Sequence, residues 1–138
     1  MTNAALSFTR AVELDPKNVD AQYNLGLALL QQWQLPEAEQ HFRDALALNP
    51  KYGDAQLNLG RTLARAEKLD DAAAALQRAI ELQPTSAEAH YELGQVLKKQ
   101  GKSLDETIAA KPTADFDAKW GQFVIDPAFF TKLVYEGV

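Results

Sequence analysis

No cysteine occurs in the chain, which removes disulfides, thiolate nucleophiles and thiolate metal ligands together and leaves the redox compartment open. The two histidines, His41 and His90, have no further histidine or cysteine at ligand spacing. They read as surface or packing residues, and neither a metal nor another cofactor is implied. An excess of positive charge is also missing: Lys+Arg 14 against Asp+Glu 19 gives a net charge of −5, which excludes a general nucleic-acid binder. No apolar run approaches the length of a membrane span. Met1 to Arg10 lack the basic start and apolar stretch of a signal peptide. The expectation is a soluble chain, cytoplasmic by default, with 138 residues enough for one domain or a short array that stacks as one.

What is present is a period. Proline recurs at 16, 50 and 84 and glycine at 26, 60 and 94, both at steps of 34 residues. Leu25, Leu59 and Leu93 precede the glycines, and Leu29, Leu63 and Leu97 follow them. Ala21, Ala55 and Ala89 keep the step, as do Ala11, Ala45 and Ala79. A fixed period of this length marks stacked units that bury their apolar faces only against their neighbours.

Each period reads as two helices. Asp20 to Gln31 places apolar residues on two stripes of a 3.6-residue repeat. Pro36 suits the first turn of the next helix, which stops before Asn49-Pro50 because the residue before proline is pushed out of the helical region. The second period repeats this, with helices over Asp54 to Arg65 and Asp70 to Leu82. The third opens on Thr85-Ser86-Ala87-Glu88, a capping-box pattern, and runs to Lys99. Asp70-Asp71 and Asp105-Glu106 fall at helix starts, where negative charge favours the dipole. The glycines lie inside helices, which argues against a phosphate loop. Glycine there costs roughly 1 kcal/mol relative to alanine, so its recurrence at one phase predicts that helices cross closely at Gly26, Gly60 and Gly94.

These features resemble the tetratricopeptide repeat, two antiparallel helices in 34 residues. "YNLGLAL", "LNLGRTL" and "YELGQVL" match its first helix, and "PEAEQHFRDALALNP" and "DDAAAALQRAIELQP" its second. Gln22, Gln56 and His90 stand where the family commonly carries a bulky aromatic. The resemblance implies an all-α array of helical hairpins, a fragment of a right-handed superhelix, over residues 1–110. It divides into a half repeat (1–16), full repeats (17–50 and 51–84) and a partial repeat (85–110). Residues 3 to 14 hold the second-helix phase with no first helix before them. This reads as a fragment of a longer array, with an N-terminal cap as the other reading.

The third period is broken. Leu104 arrives one residue late, so Ser103 looks inserted, and the next helix should end at Lys111-Pro112. Residues 111–138 then change character: six of the twelve aromatics lie in the last 23 residues. Trp120, Phe123, Phe129, Phe130 and Leu133 should form a cap on the last repeat, with Pro127 to Glu136 helical and Trp120 buried. A segment lying in the groove of its own or another chain, and the start of another domain, are the other readings.

In the family the first helices line an inner groove. Its candidate contacts here are Tyr23, Asn24, Leu27, Leu57, Asn58, Arg61, Arg65, Tyr91, Gln95, Lys98 and Lys99. Asn24 and Asn58 share a phase, and a stacked pair of amides resembles the asparagine ladder of arrays that thread long peptides. Glu92 interrupts it at the third position. Arg61, Arg65, Lys98 and Lys99 suggest a basic wall, which fits a protein or peptide carrying acidic and apolar residues. Chaperone-binding members grip a terminal carboxylate with Lys and Arg, but here Tyr23, Leu27, Glu88 and Glu92 occupy four of those positions and only Asn58 fits. The expected function is a non-enzymatic protein-interaction scaffold that holds a peptide or helix in the groove. The alternatives are a targeting or regulatory arm of a larger enzyme and a self-assembling array joined through its ends or tail.

Overall fold

A computed structural model of the chain describes residues 2–101. Among the described residues there are six α-helices and no strand: α1 (Asn3–Leu14), α2 (Val19–Gln31), α3 (Leu35–Leu48), α4 (Gly53–Arg65), α5 (Leu69–Leu82) and α6 (Ala87–Lys99). The inserted Ser103, the shortened helix before Pro112 and the aromatic tail lie outside the described residues.

The boundaries follow from local chemistry. Thr2, Asn18 and Ser86 cap α1, α2 and α6, each accepting from a backbone N–H three residues on. The cap of α6 is therefore Ser86 rather than Thr85, so the expected capping box with Glu88 does not form. Glu88 is drawn instead to Arg61 on the neighbouring repeat, at 2.9 Å. α3 has Pro36 at its start and no side-chain cap. α1, α3 and α5 end at Asp15, Asn49 and Gln83, whose φ of −145°, −139° and −137° is the extended conformation that the following proline demands.

The turn inside each repeat is built differently. Gln34 N–H donates to the Leu29 carbonyl and Lys68 N–H to the Leu63 carbonyl, the six-residue closure of a Schellman motif. That motif needs a left-handed residue. Trp33, Glu67 and Gly101 supply it in phase, with φ of 59°, 60° and 73°.

The helices form two layers. α2, α4 and α6 make one, and α1, α3 and α5 the other, with each helix packed chiefly on its sequence neighbours. Where the layers meet, Gly26 and Gly60 act as expected. A Cβ on Gly26 would come within 2.7 Å of the Phe42 ring, and one on Gly60 within 2.6 Å of Leu76 Cγ. Phe42 and Leu76 are fully buried, as are Ala38, Ala45, Ala72 and Ala79, so the close crossing is filled by one large side chain per repeat set among alanines.

Candidate functional site

α2, α4 and α6 run side by side, and their outer residues form the candidate face. The first junction along it is polar and half-buried. Tyr23 of α2 lies against the rings of Tyr52 and Phe42, at 4.8 and 5.9 Å between centroids. Its hydroxyl accepts a 3.0 Å hydrogen bond from Asn58 Nδ2 of α4. Burial and the nearby Asp54 carboxylate push the Tyr23 hydroxyl above its ordinary value of 10.0, against the effect of that hydrogen bond.

This changes the reading of the asparagine pair. Asn58 is only 7% exposed, and its amide is spent on Tyr23 and on the Asp54 carbonyl. Asn58 therefore ties α2 to α4, and the expected pair of amides presented to a peptide does not form; Asn24 alone of the two is partly open. Leu57, expected on the groove, is buried as well, and so is Leu30 of α2. Both turn into the core because α4 and α2 are covered on two sides by the second-layer helices. Leu27 is partly buried against the same core.

The second junction is ionic. Arg61 of α4 donates through Nε to Glu92, at 3.0 Å, and through Nη2 to Glu88, at 2.9 Å, both on α6. Its side chain keeps 28% exposure. Arg61 is thus largely neutralised within the chain and does not act as one of four equivalent wall cations. Arg65, Lys98 and Lys99 are exposed. Lys99 makes a loose 3.5 Å contact with Glu67, and Arg65 has no carboxylate within ion-pairing distance among the described residues. Arg61, Arg65, Glu92, Gln95 and Lys99 rim a depression of about 160 Å³ whose floor includes Ala64 and Val96. Tyr91 and Gln95 stand exposed on α6.

Two features were not anticipated. Trp33, in the turn after α2, is 64% exposed, and the Arg65 guanidinium lies over its ring at 5.1 Å. Its position falls between the two helical patterns, where periodicity gives no signal. Gln22 and His90, read as mild departures from an aromatic, reach the Pro16 and Pro84 carbonyls at 3.1 and 2.9 Å. These contacts tie the first helix to the end of the preceding repeat. Only the shared phase of Gln22, Gln56 and His90 hinted at such a role.

The geometry is that of an all-α stack of helical hairpins carrying a polar face. A tetratricopeptide-repeat family model matches residues 2–55 and a TPR-repeat model matches residues 62–101. The segment from residue 2 to residue 101 belongs to the tetratricopeptide-repeat family. No curated protein matches the chain.

Among solved structures, 71% of the chain is similar to the first TPR of Spaghetti (RPAP3) bound to the HSP90 peptide SRMEEVD, at 26% identity, TM-score 0.69 and 78% of that chain. The second TPR domain of human RPAP3, in complex with the HSP70 peptide SGPTIEEVD, is matched over 67% of the chain and 77% of its own, at 25% identity and TM-score 0.65. A mutant O-GlcNAc transferase of Thermobaculum terrenum is matched over 67% of the chain at 28% identity and TM-score 0.64, but the match spans only 18% of that enzyme. No described helix is long and apolar enough to cross a membrane.

Proposed function

We propose that residues 2–101 are a non-catalytic protein-interaction module that holds a peptide or helix of a partner against the face made by α2, α4 and α6. The observation that carries this reading is the α4–α6 depression. It combines an apolar floor with exposed Arg65, Lys99 and Gln95 on its rim, and Tyr91 stands exposed one turn before Gln95 on the same helix, while Arg61 and Glu92 satisfy each other within the chain. A rigid apolar recess with a few convergent polar groups is what short-segment recognition uses. The two RPAP3 domains, solved with peptides containing adjacent glutamates, valine and aspartate, support a partner of mixed acidic and apolar character. The terminal-carboxylate grip is not proposed, because Tyr23, Leu27, Glu88 and Glu92 supply no cation at the positions where the family resemblance would need one.

The likeness to a short part of the O-GlcNAc transferase favours a second reading, in which the same face recruits partners to a catalytic domain elsewhere in a longer protein. Both readings share one test. The full chain and a Tyr91→Ala/Gln95→Arg variant are compared for capture of a partner, with helicity followed by circular dichroism. Loss of capture with helicity unchanged supports the face; capture that survives overturns it. Co-purification of a catalytic polypeptide with the natural full-length protein would favour the second reading.

A further inference from the structure

Trp33 holds a backbone conformation that bulky side chains rarely adopt, and it holds it while leaving most of its indole in solvent. The Schellman closure around it favours glycine, and of the in-phase positions Gly101 has it, Glu67 fills the turn with an exposed polar chain, and Trp33 alone carries a large apolar ring. A large apolar ring is thus kept at a position where packing does not require it and the backbone resists it. Strain of this kind concentrates at sites of function. The ring is also not alone: Arg65 lies over its face and at the same time rims the α4–α6 depression.

We propose that Trp33 and Arg65 form a recognition rim for an extended peptide that presents a carboxylate next to a bulky apolar side chain. The proposal rests on the α2–α4–α6 face being the interaction surface and extends it around the edge of the array. Charge sets the occupant. Arg65 has no acidic partner among the described residues, and Lys99, the cation in phase with it, has only the exposed Glu67 at 3.5 Å. Stacking on the indole leaves the edge of the guanidinium free to donate to a carboxylate. The apolar neighbour of that carboxylate has two places to go, the open part of the Trp33 ring or the recess floored by Ala64 and Val96.

The test uses the full chain with Trp120→Phe, so that Trp33 is the sole indole, and two synthetic peptides: one alternating Glu with Leu, the other with Lys in place of Glu. Binding of the Glu peptide should blue-shift Trp33 emission and weaken with added salt. Trp33→Gly in the otherwise wild-type chain should melt no lower than wild type yet bind the labelled Glu peptide about tenfold more weakly, while Trp33→Tyr retains most of the affinity. Arg65→Gln should lose affinity to a similar degree and flatten the salt dependence. Trp33→Gly with unchanged affinity overturns the proposal even if the Tyr91 and Gln95 substitutions abolish binding, in which case the face stands without the rim. Binding of the Lys peptide alone overturns the acidic occupant, and binding of neither peptide overturns the rim.

Discussion

The carbonyl oxygen of Gln22 accepts a 2.8 Å hydrogen bond from Nδ1 of His41, joining the two helices of one repeat. The bond fixes the tautomer, because an amide oxygen only accepts. One period later the pair is incomplete. Gln56 keeps the amide, but Ala75 stands in phase with His41, and Gln56 Oε1 is buried with no hydrogen-bond partner among the described residues. A cleft of about 310 Å³, lined by Gln56, Ala74 and Ala75, opens there.

Ala75→His should therefore restore the missing bond and raise stability by about 1 kcal/mol in chemical denaturation. Ala75→Phe adds similar bulk without a donor and should not. Equal stabilisation by both would show that volume alone matters at this site.

His41 also gives the fold a pH dependence. Burial lowers its pKa from the ordinary 6.5, with Asp44 opposing. The unfolded chain then takes up the proton before the folded one does. The stability contributed by His41 is present above about pH 6.5 and is lost as pH falls below it. Melting temperatures across pH 7 to 5 should decline less steeply in His41→Gln than in wild type. The Glu39 carboxyl acts in a lower window: burial alone would raise it, but hydrogen bonds from Lys68 and Arg43 outweigh that and hold it below its ordinary 4.5. A variant that declines as steeply as wild type from pH 7 would remove His41 from this role.

The glycine crossings yield a coupled pair of substitutions. Gly60→Ala gains about 1 kcal/mol of helix propensity but drives a methyl into Leu76, which has no room to retreat; the net expectation is a loss of about 1–2 kcal/mol. In the double variant with Leu76→Ala, the alanine at 60 should cost nothing or stabilise. Strict additivity of the two changes would show that the helices do not touch at that point.

The four cations of the groove are not equivalent, and stability should separate them. Arg61→Glu sets a third carboxylate beside Glu88 and Glu92 and should cost about 1–2 kcal/mol. Arg65→Glu, on an exposed side chain, should stay within about 0.5 kcal/mol of wild type. Equal losses would mean that Arg61 is no more a brace than Arg65 is.

Gly26, Phe42 and their partners one period on made the hairpins legible in the sequence, because helical spacing and proline punctuation are local signals that tertiary packing here reinforces. α1 lies at the bounds the pattern gave, and α2, α4 and α5 begin one residue earlier. The site was less legible. Whether Asn58 or Leu57 points out depends on how α4 is rotated between its neighbours, and a phase of 34 residues does not encode that rotation. The pairing of Arg61 with α6 was hidden for the same reason: the carboxylates that neutralise it stand 27 and 31 residues away. Trp33 is not legible in the sequence because turn positions carry no periodicity to flag an exposed ring.

The two junctions along the candidate face differ in what disturbs them. The α2–α4 tie is a neutral, part-buried hydrogen bond, whereas the α4–α6 tie is a pair of ion contacts, one part-buried and one exposed. Dissolved salt weakens only the second. Ionic strength therefore acts selectively on the array, screening the Arg61 contacts to α6 while the α2–α4 hydrogen bond and the apolar packing of both helices are untouched. The recess between Arg65 and Lys99 borders the second junction, so the surrounding medium sets the charge its rim presents while the apolar packing of α6 keeps its shape.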